Sequence, residues 1–284
     1  MSDYDFIEYK LSFKQSLNLP ISSSNEIYPV LYSDWLYKVF ESGWKRLFSE
    51  DFPYNDIRIT SGFPYCKDYS HVLFYIPEKL EYLSVARDAL AAGEIILGSN
   101  CWRFFSRPRA EFNKDTARRE KRFTTVEIYF KKNSGIWFGS RFTNSTSQKK
   151  FESVIRFIGD EGIGGGRSVG YGGFVLSSIE EISVYKEEHS LMLSLSRFKI
   201  PESSISEDLF CEIRPMTIGL KSTKTGKKIN FLVFGEGSLM NVSDKVDYLY
   251  AGEFIGEDSK KAKDYSNRAA LLFAMPVPAK LQTY

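Results

Sequence analysis

The sequence is poor in the residues that carry most acid–base and metal chemistry. Among 284 residues there are two histidines, His71 and His189, and three cysteines, Cys66, Cys101 and Cys211. The cysteines lie far apart and none forms a CxxC pair, so the ligand spacing of a structural zinc site is missing and no metal or other cofactor is expected. Free, scattered cysteines imply a reducing compartment, hence the cytoplasm. No apolar run approaches the ~18 residues of a membrane span. The N-terminus, Met1-Ser-Asp-Tyr-Asp-Phe, lacks the basic-then-apolar order of a signal peptide, so no membrane partner is expected. Net charge is only +2. There is no low-complexity tract and no fixed-period repeat.

What is abundant is aromatic: 23 Phe and 17 Tyr help bring aromatics to 15% of the chain. Such side chains suit pleated, half-buried surfaces and point to a β-rich core. With 43% hydrophobic and 26% charged residues, the chain reads as globular and long enough for two modest domains.

The small net charge conceals an uneven distribution. Between Arg103 and Arg122 there are eight basic residues, Arg103, Arg107, Arg109, Lys114, Arg118, Arg119, Lys121 and Arg122, against three acidic ones. That segment is net +5 and the remainder net −3. A local patch of this kind suits a phosphate backbone, since each neutralised phosphate releases a counterion.

Hydrophobic periodicity orders the chain. Residues 5–13 alternate and read as a strand, followed by a Pro/Ser/Asn-rich turn at 18–29. A helix is expected over 34–48, capped by Ser33, with Asp34 in its first turn and Leu36, Val39, Phe40 and Leu47 as its buried stripe. Trp35 and Trp44 on it suit either the core or a subunit interface. Strands are expected at 57–60 and 71–76, and a helix at 78–92 stopping at Gly93. The basic segment reads as a long loop or protruding hairpin leading to strands at 123–130 and 136–138. Phe151, Val154, Ile155 and Ile158 fall at i, i+3, i+4 and i+7 and define a helix of about 148–160. A strand follows at 174–185. Beyond a boundary near 185–189 come a strand from 189, a hairpin of 213–220 with 228–234 around Thr225-Gly226, and a strand near 270–277. Lys221, Lys224, Lys227 and Lys228 beside that turn read as a solvated, lysine-protected edge. The β-α-β order, twice, predicts an α+β chain: a ferredoxin-like domain over 1–186 with a basic insertion at 100–125, then a ferredoxin-like or β-rich domain over 187–284.

Between the helix of 148–160 and the strand of 174–185 lies a glycine cluster, 162–173, with seven glycines in twelve residues. It is no Walker loop: the lysine is missing, and the order is helix–loop–strand rather than strand–loop–helix. The dinucleotide fingerprint fails for the same reason. A flexible linker fits poorly with a cation and a ring set among the glycines. The remaining reading is a cradle for an RNA backbone. In it Gly162, Gly164, Gly165, Gly166, Gly170 and Gly172 open amide donors, Arg167 pairs a phosphate and Ser168 adds a hydroxyl. Tyr171 can stack on a base or pack into the core.

This helix followed by G-x-G-G-x-R-S-x-G-Y-G resembles the glycine-rich loop of the CRISPR-associated RAMP superfamily. Leu31-Tyr-Ser33-Asp34-Trp-Leu36 resembles the start of that family's first helix, with Tyr32 where histidine is frequent. Pro108-Arg109 through Phe130, Phe234-Gly-Glu236-Gly237-Ser238 and Leu272-Phe-Ala-Met-Pro276-Val-Pro278 resemble stretches of the fourth Csm subunit of type III effectors. Gly173 departs from the family, which often has a basic residue there. The resemblance implies two RRM-like modules and a subunit that caps the 5′ handle of a crRNA. It also implies docking to the large polymerase/cyclase-like subunit and to the backbone RAMP subunits, with 103–125 wedged as a thumb against the guide. Ser33 joins the glycine loop and the basic segment as an RNA-contact candidate.

No catalytic constellation accompanies these motifs. His71 precedes an apolar strand and reads as a half-exposed structural residue, and His189 as part of a solvated link. Glu180-Glu181 and Glu187-Glu188, adjacent on extended chain, face opposite ways and make no two-metal site. A non-catalytic subunit is expected. The alternative is a RAMP-type endoribonuclease that processes precursor crRNA, but the glycine loop of such enzymes usually lies near the C-terminus, whereas about 110 residues follow it here.

Overall fold

A computed structural model describes residues 5–19, 29–76, 81–98, 101–112, 119–184, 191–198, 209–210, 213–219, 228–240, 254–255, 268–269 and 273–277. It is a mixed α+β chain, and among the described residues the strand pairs are all antiparallel. In chain order come β1 (Phe6–Phe13), β2 (Leu17–Leu19), α1 (Ser33–Phe48), β3 (Ile57–Ile59), β4 (Phe63–Cys66), β5 (Tyr69–Ile76), β6 (Glu81–Ala86) and α2 (Arg87–Ala91). Then follow β7 (Trp102–Phe112), β8 (Arg119–Phe130), β9 (Ser134–Phe142), α3 (Ser145–Glu161) and β10 (Phe174–Ile182). The remainder contains β11 (Leu191–Ser194), β12 (Leu209–Phe210), β13 (Ile213–Gly219), β14 (Lys228–Phe234), β15 (Leu239–Met240), β16 (Phe254–Ile255), β17 (Arg268–Ala269) and β18 (Ala274–Val277).

The main sheet runs β10-β1-β9-β4-β5-β6, with β3 also on β9. Within it β1, α1, β3, β9, α3 and β10 form a β-α-β-β-α-β succession with β1 central between β10 and β9. Side chains alternate across a strand, and β9 uses both faces. Phe138 stacks on Tyr9 and packs with Phe40 and Phe151 under α1 and α3. Trp137 points the other way, onto Phe6 and Phe63, in a second cluster shared with Leu191, Leu193, Phe273, Met275 and Val277. That cluster binds the sheet β12-β15-β11-β18 to the back of the first.

Helix α3 follows its sequence pattern. Asn144 caps it by accepting from the Ser147 N–H at 2.8 Å, and Phe151, Val154, Ile155 and Ile158 are buried. In α1 the stripe is rotated from the expected one: Leu36, Tyr37, Phe40 and Trp44 are buried, Val39 is partly covered, and Leu47 is 40% exposed. The cause is the close approach of α3 at Gly43, where a Cβ would lie 2.9 Å from Val154 and Ile158. Trp44 thereby packs edge-on against Phe48 and Phe52. Ser33 is not the cap. Tyr32 holds that position without a side-chain cap bond, and Ser33 is the first helical residue.

Two further expectations are corrected. Most of 78–92 is not helix: β6 pairs with β5 from His71↔Ala86 to Ile76↔Glu81, and only α2 is helical before Gly93 turns at φ 76°. Tertiary pairing overrides local periodicity here. Nor are the cysteines all free, because the sulfurs of Cys66 and Cys101 meet in bonding contact across a Cα separation of 5.7 Å, tying β4 to the base of β7. Nothing in a spacing of 35 residues signals that pairing. Cys211, His189, Glu187-Glu188 and the lysines around Thr225-Gly226 up to Lys227 lie outside the described residues. Among the described residues no helix is long and apolar enough to cross a membrane.

Candidate nucleic-acid interface

The glycine loop is built mainly on its own backbone. Gly162, Gly164, Gly166, Gly170 and Gly172 all have φ between 71° and 91°, a region that penalises any Cβ. At Gly172 a Cβ would overlap the carbonyl of Ile163, and at Gly164 that of Asn18. The loop is laced to the chain after β1: the Gly172 N–H donates to Ser16 O at 3.0 Å, and the Gly165 N–H to Asn18 O at 2.8 Å. Its exposed part is Gly166–Gly170, where Arg167, Ser168 and Val169 form a single 3-10 turn. The first internal bond of that turn is Val169 N–H to Gly166 O, so the Arg167 and Ser168 amides precede it and take no part in the turn's own bonding.

The basic segment forms the hairpin of β7 and β8, and β2 extends it into the sheet β2-β8-β7. The pairs Arg103↔Tyr129, Phe105↔Glu127 and Arg107↔Thr125 put Arg103, Phe105, Arg107, Glu127 and Tyr129 on one face. Because Asn18 also pairs with Glu127, the segment Ser16–Asn18 lies between hairpin and glycine loop.

Glu127, fully buried, joins the two. Its carboxylate accepts from the Tyr171 hydroxyl at 3.0 Å and the Tyr129 hydroxyl at 2.9 Å, and pairs with Arg107 Nε at 3.1 Å. Arg107 Nη2 in turn donates to the Tyr129 hydroxyl at 2.8 Å. Tyr171, whose ring lies against Gly166, is thus half-buried and tethered. Charge-assisted bonds of this kind are the strong ones, and a buried carboxylate left without them would be costly.

Two grooves open beside this junction. One, about 350 Å³, lies between α1, the end of α3 and the glycine loop, with Trp35, Lys38, Arg46 and Arg167 around it. Arg46 there is held by a bidentate pair with Glu161 at 2.5 Å and by the Phe157 ring at 4.9 Å. The other, about 590 Å³, is lined by Arg103, Phe105, Arg107, Tyr129, Phe130 and Lys131.

The sequence candidates therefore divide. Arg103, Arg107, Arg167 and Ser168 are exposed around the junction. Arg109, Arg119, Lys121 and Arg122 occupy hairpin strand positions, their side chains outside the described residues, as is Arg118 entirely. Gly162, Gly164 and Gly172 serve the loop's own packing. Ser33 is withdrawn from any surface: it is fully buried, its N–H donates to Ser61 Oγ at 2.8 Å, and its hydroxyl accepts from the Arg197 N–H at 3.0 Å. Around it the motifs at 31–36 and 234–238 meet. Glu236 accepts from Ser61 Oγ at 2.5 Å, and Arg197 lies 3.7 Å from Glu236, 3.8 Å from Asp34 and over the Tyr32 ring at 3.2 Å. Those motifs form a buried polar lock between segments far apart in sequence.

His71 is buried rather than half-exposed, with Trp102 edge-on at 6.0 Å and Ser84 Oγ 3.2 Å from its Nδ1. Burial lowers its pKa to about 4. Glu180 pairs with Lys10 at 3.5 Å. Among the described residues no group of three or more His, Cys, Asp or Glu is placed to hold a metal ion. Glu127, Phe105, Tyr129, Lys131, Lys38 and Arg46 were missed by sequence reasoning. Their signal is strand register and helix packing, which no local pattern encodes.

No protein-family model matches the sequence, and no curated protein is significantly similar to it. Solved structures do match over 96% of the chain. A chain of the Csm3-Csm4 subcomplex in the type III-A CRISPR-Cas interference complex superposes with a TM-score of 0.64 at 13% identity, covering 99% of that chain. Chains of the Csm1-Csm4 cassette in complex with AMPPNP and with cA4 superpose at 0.61 and 0.60, with 15% and 14% identity, each covered over 98%. The component common to these assemblies is Csm4.

Proposed function

The chain has the Csm4-like fold of type III RAMP subunits, and from that premise we propose that it is a non-catalytic, RNA-binding subunit of a type III CRISPR effector. It caps the 5′ handle of a crRNA, as a cytoplasmic antiviral component. Its first part is a ferredoxin-like module over 1–186, by the β-α-β-β-α-β succession with β1 central, and its second part, 187–284, is a ferredoxin-like or β-rich module. The observation that carries the RNA reading is the junction at Glu127, where a glycine loop and a basic hairpin 44 residues apart are fastened together. Around it Arg103, Arg107 and Arg167 are exposed, an electrostatic footprint on an otherwise slightly acidic chain. The partners follow from the assemblies named above: a Csm1-type large subunit and Csm3-type backbone subunits.

Salt-dependent RNA binding tests this. Arg167→Ala should weaken binding of the guide RNA by roughly ten- to a hundred-fold, the worth of one charge-assisted phosphate contact of about 1.5–3 kcal/mol. Charge reversal at Arg118, Arg119 and Arg122 should flatten the log–log salt slope by about one unit for each phosphate no longer paired. Unchanged affinity and slope in both would sink the reading. Metal-free cleavage of repeat RNA by the purified chain would favour the endoribonuclease instead.

A further inference from the structure

The groove at the base of the hairpin has features that a phosphate-binding surface does not need. Phe105 is 45% exposed there, and it meets Tyr129 edge-to-face at 5.1 Å and 83°. Keeping such a ring in water has a cost that a bound apolar face would remove. Arg107 is also arranged unlike a free phosphate clamp. Its Nε faces Glu127 at 3.1 Å, its Nη2 donates to Tyr129 at 2.8 Å, and the Tyr129 hydroxyl closes the triangle on Glu127 at 2.9 Å. The Nη2 bond leaves along the guanidinium edge, and the cation lies over the Tyr129 ring at 6.0 Å from its centroid, so it is the face turned away from Tyr129 that is offered for stacking. The carboxylate behind it supplies a fixed counter-charge. Arg103 and Lys131 flank the groove with positive charge, and its volume of about 590 Å³ falls in the range of small-ligand sites.

We infer that this groove is a stacking site for one unpaired nucleobase of single-stranded RNA, with Phe105 and the Glu127-locked Arg107 as its platform and Arg103 and Lys131 over the flanking phosphates. Unstacked bases on aromatic and guanidinium planes are a general mode of single-strand recognition. The inference rests on the RNA-binding reading above and adds a position at which the base itself, not the backbone, is held. Glu127 is a positioning residue in it. Without its charge Arg107 is free to leave the plane and pair a phosphate.

The test uses the full chain with two fluorescent RNA probes of equal length, an adenine octamer and an octamer of abasic residues. The wild type should prefer the adenine octamer by roughly ten-fold, the worth of one stacked base. Phe105→Ala, at an exposed position, should abolish that preference without changing the salt slope, and Phe105→Tyr should restore it. Glu127→Gln should reduce the preference several-fold while steepening the slope by about one unit, as Arg107 turns to phosphate. A purely structural residue would not move the slope in that direction. Equal affinity of the wild type for both probes, or a preference that survives Phe105→Ala, overturns the inference. Arg167→Ala separates the two levels: if it weakens both probes equally while no base preference exists, the RNA reading stands and the stacking site falls.

Discussion

Adjacent glycines 164 and 165 should respond very differently to the same substitution. Gly164 sits at φ 86°, and a Cβ there would overlap the carbonyl oxygen of Asn18. A left-handed conformation costs a non-glycine residue about 1–2 kcal/mol. Relieving the overlap requires the loop to move off β2, which breaks the 2.8 Å bond from the Gly165 N–H to Asn18, worth about another 1 kcal/mol. Gly164→Ala should therefore destabilise the chain by about 2–3 kcal/mol, lowering Tm by roughly 3–5 °C. Gly165 has no left-handed φ, and a Cβ there meets the Asn18 side chain at 3.5 Å and its carbonyl oxygen at 3.7 Å, both ordinary contacts. Gly165→Ala should stay within about 0.5 kcal/mol of wild type. Thermal unfolding of both variants, with limited proteolysis of the loop, decides the matter. Equal destabilisation, or a Gly164→Ala variant as stable as wild type, refutes the view that the loop is laced to Asn18. If the contrast holds, Gly165 becomes the position at which RNA approach can be probed without unfolding the loop.

Two other perturbations read the scaffold. Burial lowers the His71 pKa to about 4, below an unfolded value near 6.5, so the unfolded chain takes up its proton first as pH falls. Stability from this group is complete above about pH 6.5 and is lost progressively down to about pH 4, by about 3 kcal/mol in all; urea midpoints at pH 7 and 4.5 should show a drop that shrinks in His71→Leu. Asn144→Ala removes the α3 cap bond to Ser147 and should cost about 1 kcal/mol in denaturant unfolding, with a loss under about 0.3 kcal/mol meaning that solvent replaces the cap.

What could be read from the chain was what repeats locally. The period of Phe151, Val154, Ile155 and Ile158 located α3 because a helix packed on one side needs that stripe and little else. The glycine cluster was legible as a loop since five positive φ values leave few alternatives to glycine. Its purpose was only partly legible. Several of its glycines are demanded by the carbonyls of Asn18, Ile163 and Tyr171 rather than by a ligand. Where a residue's role depends on a distant strand, the pattern carried no signal. Ser33 looks like a cap but bonds to residues 61 and 197. Residues 81–86 look helical until β5 is beside them. Glu127 is an unremarked acid in an alternating strand until register sets it behind Arg107 and below Tyr171.

The functional reading stands or falls on whether the glycine loop and the hairpin form one RNA surface. Ultraviolet cross-linking of the purified chain to guide RNA, followed by mass spectrometric mapping of the adducts, puts that to the proof. Adducts are expected on both segments, near Phe105 and Tyr129 and between Arg167 and Tyr171, with both sets disappearing together in Glu127→Ala. Adducts confined to one segment, or spread over surfaces remote from Glu127, would contradict it.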